Sequence, residues 1–144
     1  MSITPQIRQL VRQPAEGLCE YRHIADAPFQ AATGFNIEHI NPKAGYSDND
    51  PNRDHPDNLC WACPKCNSYK GDSTAGMDPE TGAMTRLFNP REDKWSEHFV
   101  AKGAWIVGTT SIGKTTVEVL RINEEGRVRS RLAWLEHTSP GVNW

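Results

Sequence analysis

The adjacent pair Glu38-His39 is the most chemically suggestive point of the chain, and Asn58, Asn67 and Lys70 follow it. A neutral imidazole, with an ordinary pKa near ~6.5, is suited to taking a proton from water close to neutrality. A carboxylate and a carboxamide oxygen suit a hard divalent cation such as Mg²⁺, which keeps several of its own waters and asks for few protein ligands. Activated water and stabilised charge on the leaving oxygen are the two requirements of phosphodiester hydrolysis. None of these residues signals that chemistry by itself. A single His near a strand end is commonly ordinary surface or core, and a lone Asn is commonly a cap or turn residue. The conjunction carries the signal.

The cysteines add to it. Cys60, Cys63 and Cys66 lie within seven residues, with Cys19 far upstream. Such spacing is poor for a disulfide framework and good for a metal knuckle. The plainer reading is that some of the four are buried small hydrophobes.

Side chains so placed need particular elements behind them. Phe35 to Ile40 alternates apolar and polar residues and reads as a strand. Adjacent strand residues point to opposite faces, so Glu38 and His39 converge on one phosphate only if the strand ends or twists there. Pro42 is close enough to mark that end. Asn41 to Pro56 is rich in Asn, Asp, Gly and Pro and reads as a surface loop, and Pro64 to Lys70 as a short helix stopped by Gly71. Upstream, Ile7, Leu10 and Val11 give Pro5–Arg12 an amphipathic helical pattern, and a turn is expected near Asp26-Ala27-Pro28. Downstream, a turn at Asp78–Gly82 leads to a strand through Arg86-Leu87-Phe88. A second strand is expected at Ala104–Val107, and helices at Ser111–Ile122 and Arg127–Glu136, the latter with Val128, Leu132 and Leu135 on one face.

In sequence order, Glu38-His39-Ile40-Asn41-Pro42, Asp57-Asn58-Leu59 and Cys63-Pro64-Lys65-Cys66-Asn67 resemble the HNH endonuclease family, here as an H-N-N variant also found in RNA-guided DNA nucleases. The resemblance extends through Cys19-Glu20-Tyr21, Asp78–Gly82, Leu87–Arg91 and Trp95–Phe99 to a bacterial group of stand-alone HNH proteins with a C-terminal extension, covering about Cys19 to Ile122. It implies an α+β fold in which a ββα-metal core carries short helices and strands at both ends. A single domain over 1–144 is expected, with its core at about 19–71 and the extension at about 72–144 completing a small core. It further implies a metal-dependent DNA endonuclease with His39 as general base. Glu38 and Asn67 would hold Mg²⁺ or Mn²⁺, Asn58 would pin the loop and help orient His39, and Lys70 and Lys65 would meet phosphate.

Two departures stand out. The loop between His39 and Asn58 is long for the group, with Gly45-Tyr46 where a Gly-Gly pair is common. The group also often fixes a structural zinc with two Cys-x-x-Cys pairs, whereas Arg22 breaks the first pair here, and arginine does not ligate zinc. The resemblance then implies either a zinc on Cys19, His23, Cys63 and Cys66, with Cys60 as another candidate ligand, or packing cysteines without metal.

Gly108-Thr109-Thr110-Ser111-Ile112-Gly113-Lys114-Thr115 matches the phosphate-binding loop pattern in full. A nucleotide-binding core needs a parallel sheet and an acidic Mg²⁺ partner on another strand. The stretch Thr116 to Trp144 supplies no apolar strand ending in Asp, so a helix start capped by Thr109 or Thr110 is expected and nucleotide binding is not.

At 144 residues and a net charge of −2, the chain has room for one domain and no overall basic signature, so DNA contact rests on local charge. Lys65, Lys70, Arg86, Arg91 and Lys94 follow an acidic stretch at 47–57. No apolar run approaches the ~20 residues of a bilayer span, and Met1–Pro5 lacks a signal-peptide start, so a cytoplasmic location and no membrane partner are expected. The rival reading is a non-catalytic DNA-binding or zinc-knuckle module on the same fold.

Overall fold

The computed structural model describes residues 3–23, 35–42, 45–47 and 49–137. The turn expected near Asp26-Ala27-Pro28 lies outside them. Helices and three small antiparallel sheets alternate along the chain, a mixed α+β arrangement. No helix among the described residues is long and apolar enough to cross a membrane.

Helix α1 (Pro5–Arg12) begins as its sequence requires. Thr4 Oγ1 accepts the Ile7 N–H at 3.2 Å, and Pro5 occupies a position whose N–H would have no helical partner. Arg8 fastens the helix to the core. Its Nη2 donates to the Phe35 carbonyl at 3.0 Å, and its guanidinium lies 4.6 Å from the centre of the Trp61 ring.

Strand β1 (Asn36–His39) pairs antiparallel with β2 (Leu59–Ala62), setting Glu38 opposite Cys60 and His39 opposite Leu59. A turn of 3₁₀ helix, Pro56–Asn58, delivers the chain into β2. All four residues of β2 are buried, so it shows no alternation of apolar and polar residues. Helix α2 (Pro64–Lys70) follows at once. Cys63 caps it, with its thiol accepting the Cys66 N–H, and Gly71 ends it at φ +50°, a conformation that favours glycine.

The extension forms two further hairpins, β3 (Ala75–Met77) with β4 (Met84–Arg86), and β5 (Phe99–Lys102) with β6 (Trp105–Gly108). The strand expected at Arg86–Phe88 therefore lies slightly earlier. A short helix α3 (Trp95–His98) precedes β5, and α4 (Ser111–Val119) and α5 (Glu125–His137) close the described chain. Residues of this later part of the chain share one buried cluster with earlier ones. Phe88, Phe99, Ile106, Leu120 and Ile122 bury together with Tyr21, Leu59 and Trp61, and Trp95 Nε1 donates to the Tyr21 carbonyl at 3.0 Å.

Of the α5 face formed by Val128, Leu132 and Leu135, Leu135 packs against the core, but arginines are the most deeply buried of the described residues of the helix. Leu132 is 49% exposed, whereas Arg127 and Arg131 are buried. Arg131 donates to the carbonyls of Ala104 and Ile122 at 2.7 Å each, and Arg127 to those of Leu120 and Arg121. The carbonyls at 120–122 follow the C-terminus of α4, where helical partners run out and positive charge is favoured. Burial and the nearby Arg22 and Arg127 charges pull the Arg131 pKa down to about 10.

The Gly108–Thr115 stretch is a strand-to-helix joint. Thr110 caps α4 by accepting the Gly113 N–H at 3.0 Å, and Lys114 forms an ion pair with Glu80. Its glycines serve close packing. A Cβ on Gly113 would lie 2.0 Å from the His98 carbonyl oxygen, and one on Gly108 2.3 Å from the Lys114 nitrogen. Gly113→Ala is expected to destabilise the protein by at least the ~1–3 kcal/mol of an overpacked core. Urea denaturation followed by tryptophan fluorescence measures this.

Candidate functional site

Strand β1 ends at His39, so the faces of neighbouring residues need not stay opposed beyond it. Glu38 and His39 line one cleft with Pro42, Asn67 and Asp72. Asn67 reaches it from α2, where it is half-buried. The structure thus brings Asn67, distant in sequence, to the Glu38-His39 pair. Asp72, just beyond α2, brings a second carboxylate, and its charge bears on Glu38.

His39 is held by Asp54, which sequence reasoning left among the solvated acids of the loop. The His39 Nε2 lies 2.7 Å from Asp54 Oδ1, and both side chains are nearly covered. An ionised carboxylate only accepts, so the His39 Nε2–H donates in this bond. Burial raises the Asp54 pKa, but the His39 bond and the Arg53 guanidinium outweigh it and hold the carboxyl below its ordinary value. Asp54 is buried inside an Asn- and Asp-rich loop because it has these partners, a fact composition does not reveal.

Asn58 pins that loop through the main chain. Its Oδ1 accepts the Asn41 N–H at 2.9 Å, and its Nδ2 donates to the carbonyls of Asn41 and Arg53. Its hold on His39 is indirect, through the segments that carry His39 and Asp54.

Lys70 turns inward from α2. The side chain is buried, and its Nζ donates to Glu38 Oε1 at 3.0 Å and to the His39 carbonyl at 3.1 Å. Facing Glu38 satisfies an ammonium that would otherwise be buried alone, so in this arrangement it does not meet phosphate. Burial pushes the Glu38 carboxyl above its ordinary pKa, and the Lys70 charge opposes that. Lys65 is exposed on α2 beside Glu124 and lines a different hollow, with Arg22 and Arg127. Arg86 and Arg91 also serve the fold. Arg86 forms a two-pronged pair with Asp93, and Arg91 binds Glu20 and the Leu59 carbonyl.

The cleft carries oxygen atoms of the kinds that hard cations take, although Glu38 Oε1 already accepts from Lys70. Glu38 and Asn67 supply a carboxylate and a carboxamide to one cleft, and few protein ligands suffice for Mg²⁺.

A second cluster lies at the other end of α2. The Cys19, Cys63 and Cys66 thiols are all buried and within 4.8 Å of one another, close enough to share one metal ion such as zinc. Hydrogen bonds from the Cys19 and Cys66 thiols hold Cys63 well below the ordinary thiol range, whereas burial pushes Cys19 up to about 11 and Cys66 up as well. His23 does not join them. Its ring stacks on Trp95 at 4.0 Å, and burial lowers its pKa to about 4. Cys60 is also outside the cluster, its thiol 3.5 Å from the Tyr21 hydroxyl. Among the described residues, three thiols are one ligand short of a closed tetrahedral zinc set.

Comparison of the chain with protein-family models, with characterised proteins and with solved structures returned no match.

Proposed function

We propose that this chain is a divalent-metal-dependent DNA endonuclease of the HNH type, working in the cleft between the end of β1 and α2. The observation that carries the reading is the meeting of Glu38, His39 and Asn67 on one cleft, with the His39 tautomer set by a buried carboxylate. Glu38 and Asn67 would hold Mg²⁺ or Mn²⁺, which when bound supplies positive charge against the developing charge on phosphate oxygens. His39 takes the proton of the attacking water on Nδ1 while Asp54 steadies the imidazolium that results. Asn58 keeps the two segments of the loop in register throughout.

The Glu38–Lys70 pair favours a second reading, a DNA-binding module without catalysis, because Lys70 already neutralises the proposed metal ligand. Incubation of supercoiled, linear and single-stranded DNA with the full chain separates the two. Cleavage in Mg²⁺ or Mn²⁺ that stops in chelator supports the nuclease. Binding to DNA with no cleavage in either metal supports the module.

A further inference from the structure

Arg127 reaches the cysteine cluster from α5, at the far end of the chain. Its Nη2 lies 2.8 Å from Cys66 Sγ and 3.7 Å from Cys63 Sγ. Arg127 is 1% exposed, its Nη1 donates to the Leu120 and Arg121 carbonyls, and its buried Nε has no hydrogen-bond partner. Arg22, which breaks the first cysteine pair, is also buried and places its charge against Cys19 and Cys63. Among the described residues the cluster therefore consists of three thiols with a guanidinium beside them, and the His23 ring is stacked on Trp95.

A guanidinium offers donors and no lone pair, so it cannot be a fourth ligand. It does bring positive charge and N–H donors to the two sulfurs of α2, Cys66 and Cys63. We infer that Arg127 substitutes for a structural metal: this chain closes its cysteine cluster with a buried guanidinium, and the same side chain ties α5 to the start of α2. A zinc knuckle joins segments by coordination bonds. Here the joint is made by charge-assisted hydrogen bonds to sulfur and by bonds to the carbonyls after α4.

Two measurements on the full chain test this. Elemental analysis and titration with cobalt(II), which reports thiolate ligation by its absorption, are expected to find neither stoichiometric zinc nor a cobalt–thiolate band. Chelator is expected to leave the unfolding temperature unchanged. One tightly held zinc per chain, lost on Cys63→Ser, overturns the inference. In the second measurement, Arg127→Ala is expected to speed hydrogen exchange of the α5 amides roughly tenfold or more, from the lost buried bonds. The control Arg129→Ala removes an exposed guanidinium whose bond is to Glu125 of the same helix, and is expected to leave that exchange unchanged. Wild-type protection of α5 in Arg127→Ala would also overturn the inference. Should Arg127→Ala fail to fold, the metal measurements on the wild-type chain still decide.

Discussion

His39→Ala is expected to lower metal-dependent DNA cleavage by roughly 10²–10⁴-fold, the usual worth of a positioned proton acceptor, with little change in Mg²⁺ binding and a loss of about 1–3 kcal/mol in stability, because Asp54 stays buried without its imidazole partner. The separation follows from geometry. His39 sits at the end of β1, is part-covered, and is bonded to Asp54 rather than to Glu38 or Asn67. Its removal takes away the imidazole nitrogen and leaves the proposed oxygen ligands in place. Asp54→Asn is expected to fall between wild type and His39→Ala, because a carboxamide can present either a donor or an acceptor to Nε2 and no longer fixes the tautomer. Single-turnover plasmid nicking measures the rates, and isothermal titration with Mg²⁺ measures the binding. Wild-type cleavage by His39→Ala would remove it from proton transfer, and loss of metal binding would make it a ligand.

Lys70→Ala is expected to cost roughly 3–5 kcal/mol at neutral pH, since it strands the Glu38 carboxylate in a buried place. The pH dependence has a definite sign. Glu38 has a folded-state pKa above its unfolded value even with Lys70 present, so its ionisation works against folding as pH rises through that window. Without Lys70 the penalty grows, and it is relieved as pH falls and the carboxyl takes a proton. Urea denaturation at pH 7 and near pH 4 should show the variant closest to wild type at the lower pH. Lys70→Ala combined with Glu38→Gln should recover much of the loss at pH 7, because the stranded charge is gone. On the nuclease reading, Mg²⁺ should raise the unfolding temperature of Lys70→Ala more than that of wild type, since a cation then takes over from the ammonium. Equal costs for Lys70→Ala at both pH values would show that packing of the lysine stem, rather than charge, is what the fold uses.

Some of this arrangement was legible in the residues. Helix α2 could be read because its punctuation is local: a capping residue, Pro64 at the first turn and Gly71 at the end. Strand β1 showed the alternation of a half-buried strand. Strand β2 did not, because Leu59-Cys60-Trp61-Ala62 is covered on both faces, and a short apolar run does not declare its period. Asp54 was hidden for a different reason. Its loop is acidic and polar, and only the fold brings His39 across to it. Lys70 was correctly placed on a helix one turn past Asn67, yet its charge turned inward because a buried carboxylate was waiting there. The arginines of α5 escaped a reading drawn from hydrophobicity. Helical periodicity looks for leucine, and here the buried groups were guanidiniums whose partners are main-chain carbonyls.

The bonds that run from the extension into the first half of the chain bear on how such a protein can change over evolutionary time. Arg91 binds the Leu59 carbonyl, Trp95 binds the Tyr21 carbonyl, and Arg127 binds Cys66. Each joins a side chain of the later segment to a backbone group or thiol of the earlier one. A segment attached by surface packing can be traded by recombination for an unrelated one of similar shape. This one cannot be traded so freely, because a replacement would have to bring a donor to each of three fixed, buried acceptors at once. Exchange of residues 72–137 for an unrelated segment of similar size is therefore expected to leave acceptors in residues 21–66 without donors.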